Sequence, residues 1–384
     1  MKSYFDTLKK SDCNGCGTCS LKCPKKAITM EYDSEGFLYP VVDKEKCINC
    51  GICKKVCSSG KDYDMNAYKN SDTYISYTKN KEDKKNSSSG GMFFPLVRYV
   101  IEEKKGVVFG VETTKDLLAK HSYAETLEDA KKYQGSKYVK SDLNNSYTKV
   151  KEFLNDNRIV LFSGTPCQCA GLRSFLGKEY DNLITCEIIC HANPSPRIYS
   201  MYLESIEKKY NKKIKMIYFR SKETGWRNQT PLIEFTDGSK MEENTFFYAF
   251  TSELLNRESC YECRFSSMNR YSDFTIGDFW GIEKYDSEIK DDDTGISLLC
   301  VNTDKGKDIF KNIEKNLFVK KADIVKAFSY NHNKNIKKTF LRKLFFKRVE
   351  KEKINNNNLL FKIKIYSFFN KILNKINKKI CKKK

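Results

Sequence analysis

The chain has 384 residues, sixteen cysteines and a formal net charge of +21. This length allows two or three domains with buried cores. No apolar run reaches the roughly 20 residues of a membrane-spanning helix, and the opening MKSYFDTLKKSDC lacks the apolar stretch of a secretory signal. A cytoplasmic protein with reduced thiols is therefore expected, which sets aside a disulfide scaffold and turns the cysteines toward metal ligation. The charge is uneven. Residues 334–384 hold eighteen Lys and Arg against two Asp and Glu, a net +16, so the rest of the chain is nearly balanced.

Two runs open the chain, CNGCGTCSLKCP from Cys13 and CINCGICKKVCS from Cys47, each spaced C-x2-C-x2-C-x3-C. This is the spacing of bacterial two-cluster ferredoxins, in which the fourth cysteine of each run ligates the other cluster. It predicts one [4Fe-4S] cluster on Cys13, Cys16, Cys19 and Cys57, and a second on Cys47, Cys50, Cys53 and Cys23. Gly17 and Gly51 fall where each loop must turn tightly. Zinc is the competing ligand for C-x2-C pairs, but it usually takes two separated pairs rather than three close cysteines plus one. Between the runs, AITMEYDSEGFLYPVVD alternates apolar and polar residues about Gly36 and predicts a hairpin. Residues 1–60 are thus expected to form an α+β, ferredoxin-like dicluster module.

Residues 61–86 read as a linker with a first strand, TYISYTK (73–79). A Ser/Gly loop, Ser87 to Gly91, then leads into helical spacing from Phe93 to Lys104 and a buried strand at 106–111. Such a loop suits a phosphate at a helix N-terminus; a capped helix with a flexible approach is the alternative. The strand Ile159 to Phe162 runs into Gly164-Thr165-Pro166-Cys167 and a helix, and NLITCEIICHANPSP brings Cys190 and His191 to another strand end. Ligands gather at such ends in open α/β sheets. With Cys260 and Cys263 of CYEC, these cysteines make a possible third site: Cys167, Cys190, Cys260 and Cys263. Cys169, Cys186, Cys300 and Cys381 fall outside the scheme, and Cys186 and Cys300 read as small core residues. Further strands are expected at 214–221, 231–241 and 295–303. Strands alternating with helices predict an α/β domain with a mixed sheet over residues 87–330.

The motifs SSSGGMF (87–93), QGSKYV (134–139), GTPCQCAGL (164–172), CHANPSP (190–196), CYECRF (260–265), SDFTIGDFWG (272–281) and GISLLCVNT (295–303) occur in an order that resembles the coenzyme F420 hydrogenase/dehydrogenase beta-subunit family, in its long form with an N-terminal dicluster module. The resemblance covers residues 1 to about 305. It implies a third [4Fe-4S] cluster at the four core cysteines and FAD beside it, with FMN as the alternative. It carries flavin contacts over to Ser89, Gly90, Gly91, Gly135, Ser136 and Lys137. It further implies an oxidoreductase exchanging electrons with a ferredoxin-type donor or acceptor and an unidentified small-molecule substrate, with a link to cell-surface polysaccharide synthesis. A non-catalytic electron-transfer adaptor for a partner enzyme is the alternative, and a zinc protein on nucleic acid a third class. The module and the basic tail are additions to the compact hydrogenase subunit, so use of the deazaflavin is not carried over.

His191, Arg227 and Asp278 are the candidates for contact with the reacting groups, each with a structural alternative: a core histidine, an exposed arginine, an aromatic-packed strand end. In the tail (331–384), Phe361, Ile365, Phe368, Ile372, Ile376 and Ile380 recur on one helical face among lysines. This basic helix suits an anionic membrane surface, which would place the protein peripherally at the inner face of the membrane. Packing onto its own domain is the competing reading, and nucleic acid the least favoured, since no recognition module is present.

Overall fold

The computed structural model describes residues 4–62, 64–331 and 333–381, with side chains described through Leu373. The side chains of Ile376, Ile380 and Cys381, all named in the sequence reading, lie outside the described residues.

The first module is built on one hairpin, β1 (Ile28–Tyr32) and β2 (Leu38–Val42), antiparallel with Thr29 opposite Val41. Asp33 closes its turn by accepting the backbone N–H groups of Glu35 and Phe37, at 3.1 and 2.9 Å. A cysteine run flanks each end. Each run passes through a glycine, Gly17 or Gly51, at φ +75° before a four-residue helix, a backbone state that any Cβ would strain. The hairpin tip is not free. Phe37 is buried in the main core, where its ring lies 6.3 Å from that of Phe346.

The rest of the chain supplies β3 (Asp72–Thr78), β4 (Val107–Thr113), β5 (Ala119–Ala124), β6 (Val160–Gly164), β7 (Leu183–Ile188), β8 (Ile214–Tyr218), β9 (Leu232–Phe235), β10 (Lys240–Glu242), β11 (Phe274–Asp278), β12 (Ser297–Val301) and β13 (Leu317–Lys321). Eight of them form the expected mixed sheet, ordered β13-β3-β12-β11-β7-β6-β4-β5. The pairs β4/β6, β6/β7 and β7/β11 are parallel, and the outer pairs are antiparallel. Alternation along the strands feeds two cores. Val108, Leu161, Ile184 and Leu299 pack with the helix Phe93–Arg98, its continuation Tyr99–Glu103 and the helix Asp304–Ile313. Val107, Phe109, Val160 and Phe162 pack on the opposite side with the helices Ser146–Asn155 and Pro166–Leu176.

The single strand expected over 231–241 is instead the hairpin β9–β10, turning at Gly238 (φ +82°). With β8 it makes a separate three-stranded sheet. This sheet packs with the helices Pro196–Tyr210 and Thr245–Thr251 in a further core that also takes in Phe345, Phe346, Val349, Ile354, Leu359, Ile363 and Tyr366. Burying one such side chain is worth about 1.5–3 kcal/mol, so the C-terminal helices Phe340–Glu350 and Leu359–Cys381 belong to the fold as far as Asn370. Arg342, fully buried, pairs with Glu35 of the hairpin tip at 2.6 Å and with Glu258 at 2.7 Å, tying three distant segments together.

Candidate functional site

The N-terminal cysteines gather in the crossed arrangement. The Cys19 thiol is pushed well up by burial, and then by the neighbouring Cys16, Cys13 and Cys57. Cys57 thus stands with the first run. Cys23 stands with the second: together with Cys47, Cys50 and Cys53 it lines a cavity of about 250 Å³ walled by Phe5, Ile28, Val42 and Ile52. Burial raises Cys53, and Cys47 and Cys50 add to the rise. The backbone N–H of Ala27 donates to Cys23 Sγ at 3.3 Å.

The four core cysteines converge in the same way. Parallel strands β6 and β7 end side by side. Cys167 follows β6 as the second residue of the helix Pro166–Leu176, and Cys190 lies just past β7. The turn Glu258–Cys260 brings Cys260 and Cys263 against them. Burial raises Cys190, with Cys260, Cys167 and Cys263 its next influences. Cys263 is pushed up to about 12 by burial and by Cys260 and Cys167, while the N–H groups of Phe265 and Ser266 oppose the rise. The N–H of Asn193 donates to Cys260 Sγ at 3.3 Å, and Thr165 Oγ1 stands 3.2 Å from Cys167 Sγ. Cys169, Cys186 and Cys300 are buried apart, in apolar clusters.

Among the described residues no three Cys, His, Asp or Glu side chains close on a point suited to a single ion. The chemistry of the donor sets suits a larger group. Burial raises Cys13, Cys19, Cys53, Cys190, Cys260 and Cys263, and such thiols need nearby positive charge to act as thiolates, which the iron of a cluster would supply.

Two cations lie between the first and third groups, and the sequence reading missed both. Arg257 is 1% exposed. Its Nε donates to Cys13 O at 2.8 Å, and its Nη2 donates to Leu38 O at 2.8 Å and to Cys13 Sγ at 3.7 Å. Its guanidinium lies 4.1 Å from the Tyr39 ring centroid, and its Nη1 is buried without a partner. Lys140 donates to Asn14 O. Burial and then Arg257 lower its pKa, against the pull of Cys167, Cys16 and Cys13. Gly171 completes the junction. A Cβ there would lie 2.9 Å from Cys16 Cβ and 3.3 Å from its Sγ, and Thr18 Oγ1 donates to Gly171 O at 2.9 Å. The helix Pro166–Leu176, which carries Cys167 in its first turn, therefore touches the first cysteine loop directly.

A second cavity of about 250 Å³ opens beside the third group, with Cys190 and His191 on its wall. Of the predicted contacts, Ser89, Gly91, Gly135, Ser136 and Lys137 line it. The Ser136 N–H donates to Ser88 Oγ at 2.7 Å, joining the two loops. Burial pulls Lys137 down to about 7, and its Nζ donates to the carbonyls of Lys132 and Gln134. Gly90 does not line the cavity. Its N–H donates to Ser297 Oγ, and a Cβ would meet Ser76 O at 2.6 Å, so its smallness seats the loop on β3 and β12.

The three candidates for reacting-group contact separate. His191 sits on the cavity wall with Nε2 3.2 Å from Glu253 and its ring edge-to-face with Phe250. Asp278 also lines the cavity, but Arg220 (2.8 Å) and Trp226 Nε1 (2.9 Å) hold its two oxygens below the stacked rings of Trp226 and Trp280, so it braces the wall. Arg227 lies outside, 49% exposed and paired with Asp291 at 2.8 Å. The cavity shares Ser87, Ser88 and Gln134 to Lys137 with a groove of about 1070 Å³ that also carries Lys84, Lys85, Lys131, Lys132 and Lys222. Lys222, brought down to about 7 chiefly by burial, donates to Ser89 O at 2.7 Å. A hydrogen-bonded chain from the buried, neutral His121 through Ser141 and Gln168 to Thr165 stiffens the approach to Cys167.

Two segments of the chain match known domains. Residues 12–61 match the 4Fe-4S dicluster domain, a span holding all eight N-terminal cysteines. Residues 157–327 match the family described as the C terminus of the coenzyme F420 hydrogenase/dehydrogenase beta subunit, and they hold Cys167, Cys190, Cys260 and Cys263. The loops from Ser87 to Lys137 lie outside both. Among solved structures, a chain from the xenon-derivatised F420-reducing [NiFe] hydrogenase complex of Methanosarcina barkeri is similar at 18% identity, over 76% of this chain and 90% of its own, with a TM-score of 0.46. No curated protein matches, and no helix among the described residues is long and apolar enough to cross a membrane. The matched domains are those of iron–sulfur electron transfer of the oxidoreductase type. The chain thus joins a segment that matches the 4Fe-4S dicluster domain to one that matches the C terminus of the coenzyme F420 hydrogenase/dehydrogenase beta subunit.

Proposed function

We propose that this chain is a cytoplasmic iron–sulfur flavoprotein oxidoreductase with three [4Fe-4S] clusters. Cys47, Cys50, Cys53 and Cys23 hold the outer one, Cys13, Cys16, Cys19 and Cys57 the middle one, and Cys167, Cys190, Cys260 and Cys263 the inner one, beside a cavity that holds FAD. The observation that carries this reading is the continuity of the three groups. The first two share the crossed runs, the helix of Cys167 touches the Cys16 loop at Gly171, and Cys190 stands on the cavity wall. When bound, the clusters supply single-electron steps and the flavin joins them to a two-electron hydride exchange with substrate.

The protein's own residues bind, orient and exclude water. Arg257 and Lys140 neutralise charge between two cysteine groups at a buried junction. Ser89, Gly91, Gly135 and Ser136 line the space for a ring system with backbone and hydroxyl groups. His191 and Asp278 stand on the wall, His191 as a hydrogen-bonding group and Asp278 as a brace. The lysine-lined groove continuous with the cavity favours FAD over the shorter FMN, since a pyrophosphate and its extension need cationic room beyond the ring site. A ferredoxin-type partner is the expected donor or acceptor at the outer group, where Cys50 is exposed. The substrate is a small molecule, and a place in cell-surface polysaccharide synthesis follows the family resemblance. A simple adaptor would have no use for the cavity.

Replacing Lys137 by alanine tests the flavin assignment. A lost hydrogen bond costs about 0.5–1.5 kcal/mol, so flavin should bind about twofold to tenfold more weakly while iron content stays unchanged. Released-flavin assay and iron assay on the same anaerobic preparation read both. Equal flavin in both proteins would remove Lys137 from the site.

A further inference from the structure

The helix Leu359–Cys381 carries two apolar faces, and the fold uses one. Leu359, Ile363, Tyr366 and Asn370 are buried against the body of the domain, where Asn370 donates to Ser252 O. Phe361, Ile365, Phe368 and Ile372 repeat that series offset by two residues, about 200° around the helix. They form the outer face. Phe361, Phe368 and Ile372 are 63%, 56% and 37% exposed, and the adjoining Phe369 and Leu373 are 52% and 41% exposed. The helix needs none of these residues to pack on its domain. Lys362 flanks the outer stripe on one side and Lys364 on the other, where Lys371 also follows but rests on the Tyr248 ring, 3.5 Å from its centroid. No acidic residue follows Glu352, and residues 334–384 carry a net +16.

We propose that this outer face seats the protein on an anionic phospholipid surface, the helix lying in the plane of the headgroups with its phenylalanines at the acyl boundary and its lysines among the phosphates. The occupant must offer apolar depth and negative charge at once, because the helix that carries the stripe holds lysines and no acidic residue. A lipid surface has both, and an in-plane amphipathic helix is the form that binds it. Attraction to anionic lipid adds to the apolar contact and weakens with salt. The inner face anchors the helix to the domain, so the contact tethers the whole protein without any segment crossing the bilayer. The inference stands apart from the cofactor assignments, since it uses no cysteine and no cavity.

The test is sedimentation of the full-length, anaerobically purified protein with vesicles of phosphatidylcholine alone or of equal parts phosphatidylcholine and phosphatidylglycerol, and without vesicles as control. The wild type should pellet with the anionic vesicles, remain in solution with the neutral ones, and release as salt is raised. The triple variant Phe361→Ser, Phe368→Ser, Phe369→Ser removes only exposed side chains. It should keep its iron absorbance and melting temperature and bind the anionic vesicles at least about tenfold more weakly. Wild type left in solution with both vesicles, or a variant pelleting as well as wild type, would overturn the proposal. So would self-association without vesicles that the variant abolishes, which would make the face a contact between copies.

Discussion

Exchanging Cys167 for serine should lower the iron content by about one third, from about twelve atoms per chain to about eight, with acid-labile sulfide falling in parallel. The substitution keeps the approximate size of the side chain at the start of the helix Pro166–Leu176, so the helix and the hydrogen bond that Tyr147 donates to Gln168 O are retained. What is lost is one sulfur of a buried group whose other members are Cys190, Cys260 and Cys263, while Cys169, Cys186 and Cys300 are enclosed in apolar clusters. The eight N-terminal cysteines sit on a separate segment and should keep both their clusters. Low-temperature spectra of the reduced protein should therefore lose one of three signals. Iron and sulfide equal to wild type would dissolve the third site.

The second large effect is expected at Arg257, exchanged for methionine. Its guanidinium supplies the hydrogen bonds to the carbonyls of Cys13 and Leu38 across the junction between module and core. A buried acceptor left without a partner costs about 1–3 kcal/mol, so the variant should unfold at a free energy lower by about 2–5 kcal/mol. The charge has a separate consequence. A cation favours the more negative, reduced form of a neighbouring cluster. At an effective dielectric of about 20 a unit charge a few ångströms away is worth a few kcal/mol, so with clusters bound by these cysteines its removal would lower the midpoint potential by on the order of 100 mV. Redox titration followed by electron paramagnetic resonance should show the shift for the middle and inner clusters and little for the outer one, which lies beyond Cys23. The variant Arg257→Lys keeps the charge and loses the fork geometry. It should recover most of the potential but only part of the stability. Equal potentials in all three proteins would leave Arg257 as a structural residue alone.

Much of this was legible in the sequence because ligand spacing is a local property. Both cysteine runs, the expectation that Cys57 and Cys23 cross, the hairpin about Gly36 and the delivery of Cys167 and Cys190 each to a strand end all follow from short-range pattern; that the two strands are neighbours does not. Three strands of the main sheet escaped notice: β5 (AKHSYA) and β13 (LFVKK) are its two edges, where one side is unpaired and the apolar signal is weak, while the central β11 (FTIGD) is too short and too mixed to stand out, its motif reading only as a possible strand end at Asp278. Arg257, Lys140 and Gly171 escaped for another reason. Each is ordinary in its own stretch, and its role arises only where segments more than a hundred residues apart meet. Gly90 and Arg227 show the converse: a suggestive neighbourhood in the sequence, and side-by-side packing that commits the residue to structure. The tail combined both cases, because its periodicity disclosed one apolar face while the face that packs lies two residues out of step.

The most direct test of the account is cofactor content, measured on protein purified without oxygen. Iron, acid-labile sulfide and released flavin should stand at about twelve, twelve and one per chain, in a brown protein that yields a yellow supernatant on denaturation. A folded preparation with stoichiometric zinc, or with neither sulfide nor flavin, would contradict it.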